Sequence, residues 1–200
     1  YQTALTALTS KIQHAENTVL VFNHLSWPVT GTVNVSLAGS SFDGETLLTV
    51  TDQNGTELAA MVTDNTLEFI ATEVVAMGYS SFTLASGKEK VDTPVTISPT
   101  QMENQYYKVT LTDNGFIQSI YDKENQREVL SKSSNLLKIF EDKPANETSW
   151  NIELEYQNKE WVLDQLVSIE VLEESDVKGV LRLERTFNNS RFVQDIILYN

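Results

Sequence analysis

The residues best suited to chemistry in this chain lie in one stretch, Asn135 to Ile152. It reads Asn-Leu-Leu-Lys-Ile-Phe-Glu-Asp-Lys-Pro-Ala-Asn-Glu-Thr-Ser-Trp-Asn-Ile. The stretch runs apolar into Phe140, turns acidic at Glu141 and Asp142, breaks at Lys143-Pro144 and recovers at Trp150. Pro144 brings no amide hydrogen and fixes φ, so a strand is expected to end at or just before it. Two carboxylates at a strand end, a polar loop and a lone Trp have the chemistry of a sugar-site rim. Carboxylates accept bonds from hydroxyls, and an indole offers a flat apolar face to a pyranose. Glu141, Asp142 and Trp150 are therefore the candidate substrate-rim residues. The same residue types also describe an acidic loop with a Trp packed into the core, and types alone do not separate the two.

Other reaction chemistries find little support. Glycoside hydrolysis needs a spaced carboxylate pair. Glu141 and Asp142 are adjacent, so on a strand they would point to opposite faces. Glu173-Glu174 with Asp176 reads as a solvated turn. Only two histidines occur, His14 and His24, with no His-x-x-x-His spacing, and the chain has no cysteine. Cysteine-based zinc sites, disulfides and thiolate chemistry are thus excluded. There is no Gly-x-Ser-x-Gly elbow and no Gly-rich phosphate loop. Asn-x-Ser/Thr sites at Asn34, Asn54, Asn146 and Asn188 are weak signals in a Ser/Thr-rich chain. No catalytic residue and no metal ligand is assigned.

The elements that would position the stretch are mostly strands. With 200 residues and 40% hydrophobic content, the chain can build one large or two modest cores. Its net charge of −14 argues against nucleic acid and against an anionic membrane surface as partners. No stretch is apolar for long enough to cross a bilayer as a helix. The chain starts at Tyr1 without a leader, and the expectation is a piece excised from a longer, cytoplasmic protein.

Ala4, Leu5, Leu8, Ile12 and Ala15 share a helical face, which predicts one helix over 1–15, the end of a preceding helical domain. Short β runs at Thr18–Phe22, Val33–Leu37, Leu47–Thr51, Glu57–Val62, Leu67–Ala71 and Ser81–Leu84 predict a small β-sandwich over 16–86. Asp52-Gln53-Asn54-Gly55 is a hairpin turn signal. The polar stretch 87–100, with Pro94 and Pro99, reads as a linker. From 101 to 200 the strands lengthen. Asp113-Asn114-Gly115 turns one hairpin, and alternating runs follow at Asn151–Tyr156, Trp161–Leu172, Val177–Arg185 and Arg191–Leu198. The last run leaves a sheet edge uncovered near Phe192 to Leu198, which invites association, and the second domain reads as unfinished at Asn200.

Several stretches in order resemble the C-terminal half of α-mannosidases of glycoside hydrolase family 38. They are Val21-Phe22-Asn23-His24-Leu25-Ser26-Trp27, where the family has proline in place of His24, and Met77-Gly78-Tyr79. Glu103-Asn104-Gln105-Tyr106-Tyr107, Asp113-Asn114-Gly115-Phe116-Ile117, Tyr121-Asp122-Lys123 and Arg127-Glu128-Val129-Leu130 follow. Next come Asn135-Leu136-Leu137, Glu141-Asp142-Lys143-Pro144 and Trp150-Asn151-Ile152, with Ser149 and Asn151 where the family has Ala and Asp.

The resemblance implies a mainly β fold: a short helix, a small β-sandwich, and the first part of a large antiparallel supersandwich like that of galactose mutarotase. It implies a parent enzyme that hydrolyses terminal α-mannosides with retention, using zinc and an aspartate nucleophile held in an N-terminal catalytic domain. This chain would then be inactive alone, would pack on that catalytic domain, and would rim its substrate cleft; a homo-oligomer is compatible with this. A different class of function stays open, a free-standing carbohydrate-binding β-sandwich stacking sugars on Trp27, Trp150 or Trp161. A mutarotase-like epimerase needs catalytic His within the sandwich, and no histidine follows His24.

Overall fold

The computed structural model describes residues 2–87, 95–146 and 150–200. The chain forms two compact units, one of residues 1–94 with 175–177 and 200, the other of residues 95–174 and 178–199. Strands dominate both, as the alternation predicts. No helix among the described residues is long and apolar enough to cross a membrane.

Among its described residues the first unit has helix α1 (Gln2–Thr9) and then seven strands: β1 (Thr18–Asn23), β2 (Val29–Ser36), β3 (Leu48–Thr51), β4 (Glu57–Leu58), β5 (Ala60–Thr63), β6 (Thr66–Val74) and β7 (Gly78–Ser86). They form one sheet in the order β1-β7-β3-β4 and a second in the order β2-β6-β5. The run read as one strand over Glu57–Val62 is two strands. Its first half pairs with β3 and its second with β6, so the chain changes sheets at Ala59. Period-two burial fills the space inside: Val50, Leu67, Phe69, Ala71, Phe82 and Leu84 belong to one core cluster. Phe69 and Phe82 meet there with ring centroids 5.3 Å apart. Each of these side chains larger than alanine stabilises the fold by roughly 1.5–3 kcal/mol.

The helix is shorter than its apolar spacing predicts, ending at Thr9 and not near Ala15. Thr9 Oγ1 and Ser10 Oγ donate to the carbonyls of Thr6 and Ala7 three residues back, at 3.1 and 2.9 Å. Lys11 and Ile12 then bond the carbonyls of Leu8 and Thr9, a tightened last turn. A groove of about 480 Å³, lined by Ala4, Leu5 and Leu8 together with Phe22 and Tyr79, lies beside the helix.

Among its described residues the second unit holds ten strands: β8 (Thr96–Ser98), β9 (Gln101–Glu103), β10 (Tyr107–Leu111), β11 (Ile117–Asp122), β12 (Arg127–Glu128), β13 (Lys138–Phe140), β14 (Glu160–Val162), β15 (Leu166–Glu174), β16 (Lys178–Phe187) and β17 (Ser190–Tyr199). The predicted linker falls partly on 88–94, which lie outside the described residues. Its end does not link: Val95 is buried and β8 is a strand of the second unit's sheet. Five strands in the order β12-β11-β10-β9-β8 and three in the order β15-β16-β17 make two antiparallel sheets. Met102, Val109 and Leu111 from the first and Leu181 and Leu183 from the second join in one core. Gly115 turns β10 into β11 at φ +72°, and a Cβ there would collide with Leu183 Cδ2, so the turn needs glycine twice over.

Two predicted runs differ. Asn151–Tyr156 is not a strand. The chain is irregular to Glu153 and then forms a 3-10 turn over Leu154–Asn158. Trp161–Leu172 breaks between β14 and β15, where Leu163 is buried.

Candidate functional site

The candidate rim sits on a two-stranded hairpin with a long tip. β13 pairs with β14 through Lys138↔Val162, Ile139↔Trp161 and Phe140↔Glu160. Two backbone bonds extend the ladder, Glu141 N–H to Lys159 O at 3.0 Å and Leu163 N–H to Leu137 O at 2.9 Å. Lys138 Nζ grips both oxygens of Glu160 at 2.9 Å across it. The strand stops at Phe140, four residues before Pro144 and too early for the proline itself to be the cause. The base is tied to the sheet beside it: Asn135, at φ +60°, exchanges two side-chain bonds with Gln194 of β17, at 3.2 and 3.0 Å.

Between Glu141 and Lys159 lies a cleft of about 340 Å³, lined by Glu141 to Pro144, Glu153, Glu155, Tyr156, Asn158 and Lys159. Tyr156, one of these residues, sets its ring edge-on against Phe140, centroids 5.2 Å apart. Glu141 is not a free carboxylate. It accepts from Lys159 Nζ at 2.8 Å and pairs with Lys143 at 3.1 Å. The bond from Lys159, then the one from Lys143, holds its pKa below the ordinary glutamate value. Such a group is ionised at neutral pH and unsuited to protonating a leaving group.

Asp142, next along, is exposed. Trp150 is 88% exposed, so the reading of a core Trp does not hold, but Trp150 is not among the residues lining the cleft. The three candidates thus divide into a locked carboxylate, an open carboxylate and an open indole. Of the other tryptophans, Trp27 is exposed, whereas Trp161 packs 5.5 Å from Phe187 and carries Lys159 5.1 Å from its ring centroid. A sugar would have to displace that lysine to stack there.

Two asparagines within the stretches that carry the family resemblance each make three side-chain bonds to backbone, a role their residue type alone does not reveal. Asn23 is buried at the end of β1. Its Nδ2 donates to Trp27 O at 2.8 Å and Val74 O at 3.0 Å, and its Oδ1 accepts from Leu25 N–H at 2.9 Å. Asn104, only 6% exposed, does the same between β9 and β10. Its Oδ1 accepts from the Tyr106 and Tyr107 amides at 2.8 and 2.6 Å, and its Nδ2 donates to Tyr199 O at 2.6 Å. Lys123 Nζ adds a 2.6 Å bond to Asn104 O and a 2.7 Å pair with Glu103. Asp122 and Glu128 accept backbone and side-chain bonds, chiefly from Asn125 and Ser119 respectively, and both have lowered pKa values for that reason. An Asn or Asp followed by a turn was the available signal.

His14 and His24 are both exposed and lie on different parts of the first unit. Among the described residues no three His, Asp or Glu side chains stand together as a metal ion would need.

Residues 102–200 match the family model described as Glycosyl hydrolases family 38 C-terminal domain. The crystal structure of an alpha-mannosidase from Enterococcus faecalis V583 is similar at a TM-score of 0.59 and 19% identity, over 92% of this chain and 25% of that one. A glycosyl hydrolase family 38 protein from Enterococcus faecalis is similar at a TM-score of 0.57 and 17% identity, over 92% of this chain and 26% of that one. At such identities the likeness is one of fold. The chain spans about a quarter of the length of these structures. No curated protein matches it. Residues 102–200, from β9 through β17, belong to the glycosyl hydrolase family 38 C-terminal domain.

Proposed function

We propose that this chain is a non-catalytic β portion of a retaining, zinc-dependent α-mannosidase acting in carbohydrate catabolism. It would support a catalytic domain carried elsewhere in the parent protein and rim that domain's substrate cleft. The observation that carries the proposal is the family 38 C-terminal domain match over 102–200. The locked state of Glu141 agrees with it, because a carboxylate held ionised by two lysines can shape a rim but makes a poor general acid.

Asp142 and Trp150 are the residues on which a mannoside's hydroxyls and ring face would rest, with Glu141 fixing the loop that presents Asp142. Hydrolysis of 4-nitrophenyl α-mannoside by the parent protein, abolished by a zinc chelator and absent from the 200-residue chain, is the expected outcome. Activity in the isolated chain, or none in the parent, would overturn the proposal. In the parent, Asp142→Ala and Trp150→Ala are expected to raise KM several-fold with kcat nearly unchanged, the signature of lost ground-state binding. The exposure of Trp150 supports a second reading, a free-standing carbohydrate-binding module. Direct mannoside binding by the isolated chain, lost in Trp150→Ala, would favour that one.

A further inference from the structure

We propose that Asn54 is a site of spontaneous covalent modification, losing its amide nitrogen to become aspartate and isoaspartate, while Asn114, in a turn of the same build, is protected by its neighbours. The chain contains two Asn-Gly pairs, Asn54-Gly55 and Asn114-Gly115. Glycine suits this reaction because it has no Cβ to keep its nitrogen from approaching the preceding side chain. In the step itself the Gly55 nitrogen attacks Asn54 Cγ, and the bond from Cγ to Nδ2 breaks. Ammonia leaves with the Gly55 amide proton, and a cyclic imide remains. Water then opens the imide at either carbonyl, giving aspartate from one and isoaspartate from the other.

The two turns share one frame. Each spans five residues, 52–56 between β3 and β4 and 112–116 between β10 and β11. Asp52 N–H bonds Thr56 O at 2.9 Å, and Gly55 N–H bonds Asp52 O at 3.1 Å. The matching bonds, Thr112 N–H to Phe116 O and Gly115 N–H to Thr112 O, are both 2.8 Å. Both glycines sit at positive φ, +83° and +72°. In each turn the first side chain accepts from the last amide, Asp52 Oδ1 from Thr56 at 2.8 Å and Thr112 Oγ1 from Phe116 at 3.1 Å. The attacking nitrogen is thus hydrogen-bonded in both folded turns, and reaction has to wait for the turn to open.

What differs is how hard each turn is to open. β3 and β4 are joined by two residue pairs, Val50↔Leu58 and Thr51↔Glu57, whereas β10 and β11 are joined by five. Asn54 and Gly55 are both exposed, and a Cβ on Gly55 would meet no atom of the described residues within 4 Å. Asn54 also borders a cleft of about 190 Å³ that it shares with Thr72, Glu73 and Ser80, which leaves its side chain room to turn onto the Gly55 nitrogen. Gly115 is buried, a Cβ there would collide with Leu183, and Asn114 O accepts from Arg185 Nη2. Opening the second turn means parting that bond and lifting Gly115 off Leu183. Reaction through an opened state proceeds in proportion to the population of that state. The bond from a charged donor therefore slows Asn114 by about tenfold or more relative to Asn54. The product at Asn54 adds a carboxylate beside Asp52, and its isoaspartyl form adds a carbon to the main chain inside the turn that carries β4.

The test incubates the 200-residue chain in warm, mildly alkaline buffer and follows the peptide around each pair by mass spectrometry, reading the exchange of –NH2 for –OH. Asn54 is expected to convert at least about tenfold faster than Asn114, with isoaspartate among its products. In guanidinium chloride, where both turns are unfolded, the two should convert at similar rates, a comparison that needs no variant. Arg185→Met should speed Asn114 several-fold in the folded chain and leave Asn54 unchanged, the second result showing that the variant is folded. Equal rates in the folded chain, or an Asn54 that stays intact there, would overturn the proposal. So would a difference that persists in denaturant, which would place its cause in the adjoining residues and not in the fold, or an Asn114 indifferent to Arg185→Met.

Discussion

Around Asn104 the polar atoms are committed to the chain itself, whereas around Asp142 they face solvent. Both regions lie in the second unit, on turns that interrupt antiparallel strands. At the first turn a buried amide side chain serves three backbone groups, one of them 95 residues away at Tyr199. At the second, Glu141 is fixed by Lys143 and Lys159, while Asp142 and Trp150 stand open. A fold needs the first kind of turn and a ligand needs the second. The motifs that carry the family resemblance contain both kinds, which is why the resemblance by itself does not say which residues bind.

The widest expected contrast is in stability. Asn104→Ala leaves two amides and one carbonyl without their partner in a part-buried site, and should cost roughly 2–3 kcal/mol by the sum of lost and unsatisfied bonds. Trp150→Ala removes an exposed side chain and should change stability by less than about 0.5 kcal/mol. Urea unfolding of both variants checks the pair. Equal losses would mean that Trp150 packs on something, and the open-indole reading would fail.

Arg185 sharpens the comparison, because it is as buried as Asn104 and far less well served. It is 1% exposed, and its Nη2 donates to Asn114 O, while its Nε and Nη1 find no hydrogen-bond partner among the described residues. Its guanidinium carbon lies 5.2 Å from the Phe116 ring centroid, and burial lowers its pKa from the ordinary arginine value. A buried charge this incompletely bonded contributes little net stability against an apolar side chain of similar length. Arg185→Met is therefore expected to leave the chain within about 1 kcal/mol of the original, or more stable. Arg185→Ala should lose about 2–3 kcal/mol through the space it opens. Thermal melts of the two variants decide it. A loss in Arg185→Met as large as in Asn104→Ala would show that the guanidinium is bound as fully as the amide.

Much of this architecture was legible in the sequence, because period-two alternation reports directly which strand face is buried. Thr18 to Leu84 gave its strands that way, and Asp52-Gln53-Asn54-Gly55 and Asp113-Asn114-Gly115 gave their turns through residues that accept positive φ or bond their own backbone. What stayed hidden depends on distant partners. Alternation cannot show that the chain changes sheets at Ala59, since both halves keep the same period. Ile152, Leu154 and Tyr156 alternate like a strand, yet Tyr156 is drawn onto Phe140 and its amide bonds Glu153 O, giving a 3-10 turn. The roles of Asn104 and Arg185 rest on groups 95 and 71 residues away. At the candidate rim the sequence supplied the residue types, but not which carboxylate was already paired.

The smallest effect separates the two regions by the origin of their carboxylate shifts. Glu141 has its pKa lowered by Lys159 and Lys143, and Asp122 has its pKa lowered first by the Asn125 amide and side chain. In both cases the folded pKa lies below the unfolded one. The stabilisation is therefore fully present above the ordinary carboxylate range, and it is lost as pH falls through the folded value. Acid should weaken both contributions alike, so pH alone does not tell them apart. Salt does, because ion pairs near the surface are screened within a Debye length while bonds from a backbone amide are not. Glu141→Gln should lower the melting temperature slightly near neutral pH at low ionic strength, and not measurably in high salt. Asp122→Asn should lower it under both conditions, and its difference from the unmodified chain should vanish only when the pH falls below the carboxylate range. Melting temperatures of the two variants across pH and salt test this. A Glu141→Gln loss that persists in high salt would show that Glu141 holds its loop as rigidly as Asp122 holds its turn, and the contrast between a committed turn and an open rim would then rest on Asp142 and Trp150 alone.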